Sequence, residues 1–141
     1  PQNALREMHR VTKPGGHIIA FAEPDYTRRV DKPPALEKLG RWQRDALAQQ
    51  GADPEIGARL AALFYETGIR IREAGAISNL AEEAFDPDEW ALEWDVLEAD
   101  LSGRIPDVEI QKMKMIDKEA WKKGKRVLYV PTHYAWGQKG E

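Results

Sequence analysis

The sequence predicts an α/β fold, and three features carry that reading. A helical stripe at Leu5, Met8 and Val11 runs into Pro14 and the pair Gly15-Gly16, and the apolar run from His17 to Glu23 follows directly. Further on, Ile69 and Ile71 alternate with Arg70 and Arg72, which is the period of a strand. The remaining apolar residues recur mostly at three- and four-residue steps, the spacing of one helical face.

The elements follow in order. Proline disfavours helical geometry in the residue before it and glycine permits a positive φ, so a first helix over Ala4–Thr12 closes at the turn. The segment "HIIAFAE" lacks polar alternation, as a strand covered on both faces does. Helix, glycine turn and buried strand make the αβ half of a parallel crossover. Residues 24–33 form a polar loop closed by Pro33-Pro34. Leu36, Leu39, Trp42 and Ala46 stripe a helix that runs to about Gln50. In "GADPE", Asp53 is the predicted cap, Pro54 the first helical residue and Glu55 a favourable charge at the dipole. Ile56, Leu60, Leu63 and Phe64 are that helix's buried face, Gly68 ends it, and "IRIREAGAI" is the next strand. Asp86 and Pro87 open another helix through Trp90, Trp94, Leu97 and Leu101. Gly103 and Pro106 interrupt it, a lysine-rich helix covers Asp107–Lys123, and "RVLYVP" is the final strand. The predicted order is α, β, α, α, β, α, α, β.

The chain has 141 residues, enough for one domain with a core. Hydrophobic residues are 42% and charged residues 32%, a balance too apolar for disorder. A net charge of −3 gives no electrostatic case for nucleic acid or an anionic membrane. The absence of cysteine excludes disulfides, thiol catalysis and cysteine metal sites, and is compatible with a cytoplasmic setting. No apolar run has the length of a membrane helix.

The segment "ALREMHRVTKPGGHIIAFAEPDY" resembles class I S-adenosylmethionine-dependent methyltransferases, in which a helix reading L-x-E-x-x-R-V-L-K-P-G-G precedes the fifth strand. The matching residues are Leu5, Glu7 or Met8, Arg10, Val11, Lys13, Pro14, Gly15 and Gly16, with Thr12 where leucine is common. "LAALFYETGIRIREAGAI" is similar to the family's next helix and sixth strand, with Gly68-Ile69 at the glycine step. "RVLYVPTHYAWGQK" looks like the seventh strand, which pairs antiparallel with the sixth; the fifth strand lies between the fourth and the seventh.

The resemblance thus implies the C-terminal part of a Rossmann-like methyltransferase sheet, one parallel strand plus an antiparallel pair. It implies a single partial domain over residues 1–141 with an inserted helical pair at about 86–123. The family holds S-adenosylmethionine on a glycine-rich turn after its first strand, where backbone N–H groups reach the ligand. No strand followed by G-x-G occurs in this sequence, and Gly15-Gly16 precedes a strand instead. No cofactor-binding residue is therefore assigned. The expectation is the substrate-side half of a small-molecule methyltransferase, inactive and without tightly bound cofactor when alone. The contrasting expectation is a non-catalytic association module that pairs through its open sheet edge with itself or a partner chain. The partners expected of the first reading are a small-molecule acceptor and either a second copy in a homo-oligomer or a missing N-terminal half.

Five residues are candidate substrate contacts. Glu23, Asp25 and Tyr26 lie at the carboxyl end of the first strand, where open α/β sheets bind ligands, and a carboxylate there orients a nucleophile or takes its proton. The alternative for Asp25 is a cap for its own turn. Trp42 and Tyr65, with Trp90, are either walls of an acceptor pocket or ordinary core. His133 and Tyr134 flank the last strand, as packing residues or as catalytic ones. His9 and His17 have no ligand partner at metal spacing, so no metal is expected. Lys112, Lys114, Lys118, Lys122, Lys123, Lys125 and Arg126 read as a solvated helix end or as a patch for an acidic partner.

Overall fold

The computed structural model describes residues 1–77 and 85–140. They form five α-helices, five strands and two single-turn 3-10 helices, η1 (Tyr26–Arg28) and η2 (Pro34–Leu36). The helices are α1 (Gln2–Val11), α2 (Glu37–Gln49), α3 (Ile56–Glu66), α4 (Pro87–Leu101) and α5 (Asp107–Lys122). The strands are β1 (His17–Pro24), β2 (Val30–Lys32), β3 (Arg70–Ile77), β4 (Val127–Tyr129) and β5 (Thr132–Gln138). The fold is mixed α/β in two compact units, one of α1, β1, α3, β3 and β5, the other of β2, α2, α4, α5 and β4.

In the first unit the sheet order is β1–β5–β3, and β5 runs antiparallel to both neighbours. Every strand pair among the described residues is antiparallel, so the expected parallel pairing does not occur there. The physical reason is the hairpin-like return of "THYAWGQ" between β1 and β3. This stretch, rather than "RVLYVP", is the last strand of the sheet; "RVLYVP" contributes β4, which pairs with β2 in the other unit.

One face of the three-stranded sheet carries α3 and a core of Leu5, Ile18, Leu60, Leu63, Phe64, Ile69 and Ala135. Burying each large side chain in that core contributes about 1.5–3 kcal/mol before entropy is subtracted. The opposite face is open, with Ile19 61% and Phe21 68% exposed. The expectation that β1 is covered on both faces is therefore corrected: its neighbours cover Ile18 and leave Ile19 and Phe21 in solvent. Beyond Ala20 the strand bulges, with Ala22 at φ 63°, so two residues of β1 oppose one of β5.

The second unit is a helical layer on a two-stranded ribbon. Leu36, Leu39, Ala46, Trp94, Leu97, Leu101, Ile110, Met113 and Ala120 fill its core, with Trp42, Trp90, Ile105 and Ile116 at the margin. Asp86 caps α4 by accepting from the N–H groups of Asp88 (2.8 Å) and Glu89 (3.3 Å). The start of α3 differs from the sequence expectation. Its cap position is Glu55, not Asp53, because the Pro54 carbonyl accepts from Tyr26 N–H (2.8 Å) and stays outside the helix.

Candidate functional site

The carboxyl end of β1 meets the first turn of α3 and the start of β5. Glu23 sits opposite His133 in the ladder, and Pro24 opposite Thr132. Gly57 makes this junction possible. A Cβ there would lie 2.8 Å from His133 Cδ2 and 2.9 Å from the Pro24 carbonyl carbon, so any other residue would push the helix off the strand. His133 Nε2 is buried without a hydrogen-bond partner. Unpaired buried nitrogens are uncommon in folded proteins.

Asp25 is 1% exposed and its Oδ1 accepts from Thr27 N–H (3.0 Å) and Thr27 Oγ1–H (2.6 Å). Its N–H donates to the Pro131 carbonyl (2.8 Å). This is the turn-capping arrangement, which holds the segment after β1 in place. Glu23 and Tyr26 are half-buried beside it. Of the five candidates, these three come together.

The aromatic candidates are distributed differently. Tyr65 is 83% exposed on α3. Trp42 packs against the helical core of the second unit, with Lys38 Nζ 4.8 Å from its ring centroid. Trp90 lies in the same cluster and donates from Nε1 to Asp117 Oδ2 (2.7 Å). Lys114 and Lys118 stand over the Trp90 ring at 5.6 Å and 4.8 Å, so part of the basic run is engaged with aromatic faces.

Two constellations escape sequence reasoning. On the open sheet face, Glu73 accepts from Tyr134 Oη–H (2.7 Å) and Trp136 Nε1–H (3.3 Å), while His17 meets Trp136 edge-on at 5.2 Å. The Tyr134 hydrogen bond, then that of Trp136, holds the Glu73 carboxyl below its usual range, and the same contact pushes the Tyr134 phenol up. The alternation Tyr134, Trp136 against Ala135, Gly137 is the signal that would have placed them on one face. In the second unit, Arg126 donates to Asp117 Oδ1 (2.5 Å) and Asp31 Oδ1 (2.7 Å), and Arg29 donates to Asp31 as well. Two guanidinium groups thus balance two buried carboxylates.

The turn at Gly15-Gly16 does not fit S-adenosylmethionine. Gly15 N–H donates to the Lys139 carbonyl (3.1 Å) and Gly16 N–H to the Lys13 carbonyl (2.8 Å), which leaves neither donor for a ligand. Among the described residues no group of three His, Asp or Glu side chains is placed to hold a metal ion. No described helix is long and apolar enough to cross a membrane. No family model and no curated protein matches the chain.

Proposed function

We propose that the chain supplies the acceptor side of a S-adenosylmethionine-dependent methyltransferase acting on a small molecule in the cytoplasm, with the cofactor held by another segment. The observation that supports it most is the sheet order β1–β5–β3 with the middle strand antiparallel to both neighbours. That is the order expected of the resembling family's fifth, seventh and sixth strands. A proline-glycine-glycine turn leads into the first of them and Gly68, at φ 75°, into the last.

Methyl transfer from a sulfonium to an oxygen or nitrogen is an in-line displacement. Positioning alone contributes as much as about 7–11 kcal/mol to such a step. The chain's part is therefore orientation. Asp25 fixes the loop, Glu23 presents a carboxylate at the strand exit to hold the acceptor's O–H or N–H, and Tyr26 walls the approach. The test follows labelled methyl transfer to a small-molecule panel, by the chain alone and in combination with a separately supplied S-adenosylmethionine-binding segment. Transfer by the combination and none by the chain alone supports the reading; none by either contradicts it.

A second reading, a non-catalytic association module, draws on one specific observation. β1 is a sheet edge whose outward side chains Ile19 and Phe21 remain in solvent. Such edges recruit other strands.

A further inference from the structure

We propose that a groove on the flank of α5 binds a single-chain carboxylate, apolar along its tail and anionic at one end. The groove lies wholly within the second unit, has a volume of about 430 Å³ and is walled by Pro33, Met115, Ile116 and Ala120. A space of that size with an apolar lining and few charged groups is the usual setting of a small-molecule site. Met115 is 71% exposed, and the unbranched thioether of a methionine adapts to an apolar chain laid against it. Glu23, Asp25, Tyr26 and His133 belong to the first unit, so the acceptor reading and this site stand or fall separately.

Charge fixes the other end of the ligand. In the basic run from Lys112 to Arg126, three residues are committed elsewhere. Lys114 pairs with Glu98 (3.0 Å), Lys118 stands over the Trp90 ring, and Arg126 is buried against Asp31 and Asp117. Lys123 and Lys125 instead border the groove, with Glu119 beside them. Glu119 balances Lys123 at 3.2 Å, which leaves the border one positive charge in excess, at Lys125. A helix-stop turn places that charge: Gly124 has φ 61°, and Lys125 N–H donates back to the Ala120 carbonyl (2.9 Å). Both lysines stand at the C-terminal end of α5, and Met115 lies about 12 Å back along the helix axis. The groove is therefore apolar at one end and cationic at the other. One anionic head on an apolar tail satisfies both ends, whereas a neutral chain gains nothing from Lys125 and a polyanion leaves most of its charge unanswered.

Decanoate, kept below its micelle concentration, is the probe. The chain has three methionines, and methyl labelling gives each an NMR signal. Met113 is buried and Met8 lies on α1 in the first unit, so Met115 reports the groove and Met8 controls for detergent action. Decanoate is expected to shift the Met115 methyl saturably and to leave Met8 in place. Lys125→Glu, at an exposed position, should weaken that binding about tenfold, and Lys125→Arg should retain it. Decanol, with the same tail and no carboxylate, should bind several-fold more weakly. The proposal is overturned by the lack of a saturable shift at Met115, by an equal shift at Met8, or by unchanged affinity in K125E or for decanol. Sedimentation with anionic phospholipid vesicles, without any Met115 response to decanoate, would assign the groove to a membrane surface and overturn it too.

Discussion

Arg126 has a side chain only 1% exposed and stands between Asp31 and Asp117, with Asp117 also accepting from Trp90 and Trp94. Arg126→Met would leave two buried carboxylates facing fewer donors. Removing one partner of such a buried pair costs about 3–5 kcal/mol, read as a lower urea midpoint. Tyr134→Phe carries a different expectation, because it removes the main contact that lowers Glu73. The Glu73 carboxyl should then titrate higher, nearer its ordinary range, by NMR. A lowered folded-state value means that the stabilisation of Glu73 is present above the unfolded carboxylate's range and is lost as pH falls through the folded one. In the variant that loss shifts to higher pH. The sequence shows where charges fall but not their partners. Arg126 reads as one more cation of a basic run, because its partner Asp31 is 95 residues away.

Elements were legible where a local pattern fixed them. The stripe and cap of α4 start it at Pro87 as expected, and Asp86→Ala should cost about 1 kcal/mol in thermal unfolding. The three-residue strands β2 and β4 were missed as a pair, since "VDK" is short and polar and its register depends on a partner far along the chain. The two-sided burial of β1 was misread because an apolar run shows that burial is affordable, not that a second layer is present. The α3–β1 junction hinges on Gly57. Gly57→Ala puts a methyl group against backbone and should destabilise by about 1–3 kcal/mol in chemical unfolding, with Phe64→Ala, deep in the same core, losing about 3–5 kcal/mol.

Within the whole molecule, two cores follow two hydrophobic populations. Leu5, Leu60, Leu63 and Phe64 gather on the three-stranded sheet, while Trp94, Leu97, Leu101 and Met113 gather among helices. The α/β class was readable from the sequence. The all-antiparallel pairing was not, because strand direction depends on which segments meet and periodicity carries no such information. Likewise Glu23, Asp25 and Tyr26 are close because they fall within four residues of the chain, whereas His133 joins them through strand register alone. The N–H donors of the glycine turn are already bonded within the chain, and on that ground we propose that the chain presents an acceptor while another segment holds the cofactor. Calorimetric titration of the chain with S-adenosylmethionine tests that proposal most directly. No heat is expected from the chain alone. Micromolar binding by it would contradict the proposal.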